Sequence, residues 1–189
     1  MARPAPAPPL ETQRLVLRDF APDDWPALHA SESDPQTVRY LPREPFTEAA
    51  ARDYLTRGQA DIRSRPRRVF DLAVTLKAGG AVVGRCGLDV REPKLGDAAL
   101  WYVLDRRHRG KGLMAEAVRR MLDFGFGDLG LHRIWADIDP RNEASVRLAE
   151  GQGMRREAHF RENVMIKGEL CSTLIYATLR REWDARKSL

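Results

Sequence analysis

The chain has 189 residues, of which 43% are hydrophobic and 31% charged, and its 32 Lys and Arg exceed its 27 Asp and Glu to give a net charge of +5. A chain of this length buries roughly 70% of its unfolded surface in one core, and no apolar run approaches the ~20 residues that span a bilayer, so no membrane partner is expected. The positive excess is spread among nearly as many acids, which argues against nucleic acid as a partner.

Residues 2–9 alternate Ala and Pro apart from Arg3 and read as an extended tail. Their prolines break the continuous apolar helix that a secretion signal needs. Thr12 to Arg18 reads as a first strand with Leu15 and Leu17 on one face. Pro22-Asp23-Asp24 starts a helix through Ser31, with its acids in the first turn, where the helix dipole favours them. Thr47-Glu48 starts a second helix to Arg63, whose apolar side carries Ala50, Tyr54 and Leu55. Val69 to Lys77 and Ala81 to Val90 form a hairpin through Ala78-Gly79-Gly80, and a loop with Pro93 and Gly96 leads to a strand over 98–104.

The centre of the chain is Leu100 to Phe126. Leu100 to Leu104 is apolar and suits a pleat. Met114, Ala117, Val118, Met121, Leu122 and Gly125 recur at three and four, the spacing of a buried helix face. Between them Arg107-His108-Arg109-Gly110-Lys111-Gly112 crowds glycine and positive charge at a helix N-terminus, where free N–H groups and the helix dipole attract an anion. The turn is not a P-loop, since Leu113 follows Gly112 where Ser or Thr is needed, and it lacks the three-glycine dinucleotide spacing.

Downstream, Arg133 to Asp139 reads as a strand parallel to the one at 98–104, because a helix intervenes. Asn142 to Gln152 is a shorter helix closed by Gly151 and Gly153. Met154 to Val164 and Leu170 to Leu179 are the last strands, joined through Lys167-Gly168. The order β-α-α-β-β-β-α-β-α-β-β predicts one mixed α/β domain with seven mostly antiparallel strands and four helices. It spans 10–183, with tails at 1–9 and 184–189. Cys86 and Cys171 fall in strands and read as free buried thiols of a cytoplasmic protein. The four histidines are scattered, and no metal is expected.

Arg107, Gly110 and Gly112 match the Gln/Arg-x-x-Gly-x-Gly/Ala signature of the GNAT family of acetyl-CoA-dependent N-acetyltransferases. Asn142-x-x-Ser145-x-x-Leu148 and Gly153-Met154 resemble a second segment of that family, and the order of elements is also its own. Arg161-Glu162-Asn163 and Lys167-Gly168 resemble the RimJ/RimL branch, which acetylates ribosomal-protein N-termini.

The resemblance implies acetyl-CoA as co-substrate and an amine acceptor, either a peptide N-terminus or a small molecule; a homodimer is left open. It implies that Arg107 to Gly112 holds the pyrophosphate, with Arg109 and Lys111 adding charge. Val103, Leu104 and Asp105 would offer backbone groups to the pantetheine arm, the Leu104 N–H polarising the thioester carbonyl. Asn142 is a favoured N-cap and in the family also touches the pantetheine region. Ser145 is either a solvated helix serine or the donor to the departing thiolate, a role strengthened because Ala149 stands where many relatives have Tyr. The base stays open among Glu162, Asp97 and a water chain. Glu162 rests on strand periodicity, because Val164 stands where the branch has its Glu, and Asp97 shares the face of Ala99, where many relatives keep a Glu. The rival reading is a non-catalytic acyl-CoA-binding module of the same fold.

Overall fold

The computed structural model describes residues 9–187. Its strands are β1 (Leu10–Glu11), β2 (Leu15–Asp19), β3 (Val69–Leu76), β4 (Val82–Glu92), β5 (Asp97–Leu104), β6 (Arg133–Ile138), β7 (Arg155–Ile166) and β8 (Glu169–Leu179). Its helices are α1 (Trp25–Glu32), α2 (Glu48–Arg63), α3 (Leu113–Asp123), α4 (Glu143–Gly151) and α5 (Arg180–Lys187). One sheet in the order β1-β2-β3-β4-β5-β6-β8-β7 collects every strand. All neighbours are antiparallel except β5 and β6, the pair separated by α3.

Against the predicted seven strands and four helices, the described residues form eight and five. The extra strand is β1, too short to carry a pattern, which pairs Leu10 with Leu17 and buries Leu10. The extra helix is α5, which runs through part of the segment expected to be a tail. Its Trp183 is buried with its ring 6.2 Å from Phe126, and its indole N–H donates to Asp123 at 3.1 Å. Residues 1–8 of the expected N-terminal tail lie outside the described residues.

The predicted apolar stripe of α3 is the buried one. Met114, Ala117, Val118, Met121 and Leu122 cover Leu15 and Leu17 of β2, Phe70, Leu72 and Val74 of β3 and Leu88 of β4. The helix continues as one π-helical turn over Phe124–Asp128. On the other sheet face α1 and α2 pack Leu28, Ala51 and Leu55 against Phe20 and Ala73.

Beneath α1 and α2 lies a buried ionic group with no counterpart among the predictions. Arg85 Nε donates to Glu32 Oε1 at 2.7 Å, both residues being almost fully buried, and Arg43 closes on the second Glu32 oxygen. The Tyr54 hydroxyl and the Trp101 indole N–H both donate to Asp71. Trp101 can lie there because it crosses Gly87, where an added Cβ would stand 2.3 Å from the indole.

Trp183→Ala should destabilise the protein by about 3–5 kcal/mol, the usual cost of emptying a buried aromatic site, as read from the midpoint of urea unfolding. A loss below about 0.5 kcal/mol, as at a plain surface site, would show that α5 does not hold the domain.

Candidate active site

The site begins where β5 and β6 part. Their pairing runs from Asp97↔Arg133 to Ala99↔Trp135 and stops, although β5 continues to Leu104 and β6 to Ile138. β6 turns instead along β8 as far as Ile138↔Leu174. The Asp105 N–H bonds back to Val83 O on β4 at 2.9 Å. Backbone groups alternate along an antiparallel edge, so the Leu104 N–H and C=O face the gap while those of Val103 face β4, opposite Arg85. Consistently, Leu104 O accepts from Arg109 Nε at 3.2 Å.

The turn entering α3 borders the same gap. Gly110 and Gly112 have φ of 75° and 72°, a left-handed conformation that side-chain-bearing residues avoid. Among the described residues no partner is found for any N–H from Gly110 through Ala115, whereas the Glu116 N–H returns to Gly112 O at 3.1 Å. These groups sit at the positive end of the α3 dipole. Asp105 braces the turn from below, its carboxylate accepting from the Arg107 N–H at 2.8 Å and from the Arg107 guanidinium. The guanidinium holds the Asp105 carboxyl below its ordinary value, against the opposing effect of burial.

A cavity of about 390 Å³ joins these parts, reaching Leu104, Arg109, Gly110 and Gly112 on one side and Asn142 and Ser145 at the start of α4 on the other. Asn142 caps α4, accepting from the Ser145 N–H at 3.2 Å, so it is both cap and cavity wall. The Ser145 hydroxyl donates to the Tyr102 hydroxyl at 2.8 Å. Burial pushes the Tyr102 phenol up to about 12, although the Ser145 hydrogen bond opposes the rise. Ala149 is fully buried.

The expected site residues take up different positions relative to this cavity. Of Val103, Leu104 and Asp105, only Leu104 turns its backbone to the gap; Val103 lines the cavity, and Asp105 is a brace. Arg107 and Lys111 do not line the cavity. The Arg107 head group is spent on Asp105, and Lys111 Nζ folds back to Arg107 O at 3.3 Å. Glu162 does not line the cavity either. Its strand periodicity fails because Arg161, Glu162 and Asn163 bulge out between Phe160↔Thr173 and Val164↔Cys171, with Glu162 at φ 48°. Asp97 accepts from Arg133 and from the Trp135 indole, each at 2.8 Å, at the opposite end of β5 from Leu104.

The sequence gives no warning of two other contributors. Tyr102 reads only as a strand residue, and its contact with Ser145 joins residues far apart in the chain. The loop between α1 and α2 supplies Gln36, Thr37, Tyr40 and Leu41 to the cavity. It is tied to the β7–β8 hairpin by Lys167 Nζ, which donates to Val38 O at 2.8 Å, and Arg141 lies over the Tyr40 ring at 5.8 Å. Both thiols are free and buried, as expected, in β4 and β8.

Because the Asp105 carboxyl is held low in the folded state, its stabilisation is complete above the ordinary aspartate range and disappears as pH falls through the lowered value. The stability gap between wild type and Asp105→Asn should therefore be constant above about pH 5 and close on further acidification. Unfolding curves across that range check it; a gap independent of pH would remove the carboxylate from the bracing role.

The description "Acetyltransferase (GNAT) domain" belongs to a family model that matches residues 14–155. The chain is 32% identical over 176 residues to an uncharacterised N-acetyltransferase, p20, of Bacillus licheniformis, covering 92% of this chain and 97% of that one. A GNAT-family acetyltransferase structure from Bacillus anthracis superposes with a TM-score of 0.82 at 28% identity, covering 92% of this chain and 99% of the other. A spermidine N-acetyltransferase from Vibrio cholerae, solved with CoA and spermine, shares the fold with a TM-score of 0.80 at 21% identity, covering 91% of this chain and 99% of that one. The open strand pair, the unpartnered N–H turn and the α4 cap thus lie in a chain that belongs to the GNAT acetyltransferase family and is an N-acetyltransferase.

Proposed function

We propose that this enzyme moves an acetyl group directly from acetyl-CoA to a primary amine, in a ternary complex formed in the cavity between β5, α3 and α4. The observation that carries the reading is the run of unpartnered N–H groups from Gly110 to Ala115, opening on the same cavity as Leu104 and Ser145. A diphosphate fits this donor set: it needs many N–H donors and backbone free of Cβ atoms at its closest approach. Arg109 adds charge at the cavity wall.

Bound acetyl-CoA supplies a thioester, whose acyl carbon is open to attack by a neutral amine. The Leu104 N–H, facing the gap, is the candidate donor to the oxygen on which charge develops. Ser145 is the candidate donor to the leaving sulfur. Its neighbour Tyr102 accepts from the Ser145 hydroxyl at 2.8 Å and donates to Ser145 O at 3.3 Å, which holds the serine at the cavity wall. Tyr102 thereby brings a phenol from β5 to a site where Ala149 has none to offer. Among the described residues no carboxylate lines the cavity, Asp97 being engaged by Arg133 and Trp135 and Glu162 lying on the β7 bulge. We therefore favour proton loss through water in the cavity, or an amine that arrives neutral.

The acceptor is a peptide N-terminus, as in the RimJ/RimL branch, or a small molecule such as the polyamine named for the Vibrio cholerae enzyme. Thiol release with a panel of peptide and small-molecule amines decides between them, and failure of every primary amine would overturn the proposal. The buried free thiols support a cytoplasmic setting.

Ser145→Ala should lower kcat by roughly 10- to 1,000-fold with little change in CoA affinity, and Tyr102→Phe should do so by less. If Tyr102 acts through Ser145, adding Tyr102→Phe to Ser145→Ala should bring no further loss; additive losses would make Tyr102 an independent contributor. Glu162→Gln should leave the pH profile of kcat/KM unchanged, and loss of the acidic limb would restore Glu162 as base.

Gly112→Asp should weaken CoA binding by at least about 100-fold in calorimetry, because it sets a charge against the phosphates. Asp adopts the left-handed conformation more readily than most residues, so the fold should survive. Unchanged affinity would move the cofactor site elsewhere.

A further inference from the structure

We infer that Arg14, held by Glu116, is a positioning residue for the cofactor, pinning the Lys111–Gly112 peptide so that the Gly112 N–H remains available to a diphosphate. The inference rests on the reading of this turn as the cofactor site.

The contacts join two distant parts of the chain. Glu116, in the first turn of α3, accepts from the Thr12 hydroxyl at 2.5 Å, from the Arg14 N–H at 2.8 Å and from Arg14 Nε at 2.6 Å. With Nε so engaged, the far end of the same guanidinium donates through Nη1 to Lys111 O at 2.9 Å. The Glu116 N–H meanwhile makes the first helical bond, to Gly112 O. One glutamate therefore starts the helix with its backbone and grips the β1–β2 connection with its side chain.

A trans peptide directs its C=O and N–H to opposite sides. With Lys111 O fixed on Arg14, the Gly112 N–H must point away from the guanidinium. The constraint is needed because Lys111 stands between two glycines, both at positive φ, and glycine offers little steric resistance to rotation of the neighbouring peptide. If that peptide turned over, its carbonyl dipole would replace the N–H dipole before the anion, changing attraction into repulsion. Arg14 also offsets the Glu116 charge, which otherwise opposes an anion at the helix N-terminus.

Ion pairing alone does not explain the arrangement. Arg14 is 46% exposed, and an exposed pair contributes little. Its particular property is the rigid fork, which reaches a carboxylate and a carbonyl at once, as a lysine ammonium does not. Thr12 and Arg14 carry no local signal for this role, because their partners lie about a hundred residues away.

The test is calorimetric titration with CoA of Arg14→Ala, Arg14→Lys and Gly112→Asp, alongside steady-state rates with acetyl-CoA and with S-acetylpantetheine, a donor without the diphosphate. Arg14→Ala should weaken CoA binding by roughly 10- to 100-fold, the span of one charge-assisted hydrogen bond. The effect should appear in KM for acetyl-CoA and not in kcat at saturation, and kcat/KM for S-acetylpantetheine should fall far less. Arg14→Lys should resemble Arg14→Ala. Should Arg14→Ala fold poorly by circular dichroism, Arg14→Met, which keeps an unbranched side chain of similar reach and removes both donors, should weaken CoA binding in the same sense. Unchanged CoA affinity, equal losses with the two donors, or full rescue by lysine would each overturn the inference. If Gly112→Asp abolishes CoA binding while Arg14→Ala has no effect, only the role of Arg14 is lost; if neither affects it, the cofactor reading is lost as well.

Discussion

The short parallel contact between β5 and β6 is the constraint on which the rest of the structure depends. A parallel neighbour requires a crossover, so α3 must stand between the two strands, and its N-terminus necessarily starts near the C-terminal end of β5. β6 then follows β8 and leaves β5 after Ala99↔Trp135. One departure thus opens the backbone of Leu104 to the gap and sets the free N–H groups of α3 beside it. Polar backbone left unpaired in this way is costly to bury, and a ligand rich in amides and phosphate oxygens offers the missing partners.

Around this opening most charged side chains restrain other parts of the protein. Asp105 fixes Arg107, Glu116 fixes Arg14, and Asp97 fixes Arg133 and Trp135. Beneath α1 and α2, Glu32 holds Arg85 and Arg43 from the interior. A buried group of this kind adds little net stability against an apolar alternative but strongly penalises any arrangement that leaves one charge unpaired. It therefore fixes where α1 ends and the cavity loop begins. Lys167 and Arg141 hold the far side of that loop from the β7–β8 hairpin and the β6–α4 connection.

The chemistry of the cavity is correspondingly spare. Hydroxyls and backbone amides line it, and the polar side chains closest to the proposed reaction, Ser145 and Tyr102, are bonded to each other. Such groups orient and polarise without changing charge themselves. Trp101, on the other face of β5, crosses Gly87 and belongs to the Asp71 network.

Local pattern determined much of this protein. The stripe on α3, the Gly-Gly hairpin, the Asn142 cap and the glycine-rich turn each follow from neighbours within a few residues, where periodicity and φ preference act directly. The same level of information marked the turn at Gly110 and Gly112, both at positive φ, as the candidate anion site and placed Ser145 in the first turn of α4. It put Glu162 on a regular strand, and period-two reasoning does not extend through the bulge found there. It also missed β1 and α5, whose short lengths carry little pattern and whose burial depends on Leu17 and Phe126. Only the tertiary structure decided that Leu104 rather than Val103 faces the gap, that Tyr102 meets Ser145, and that Arg14 reaches Lys111. Each of these depends on where a distant strand or helix comes to lie, and hydrogen bonds between residues far apart in the chain leave no periodic trace in the sequence.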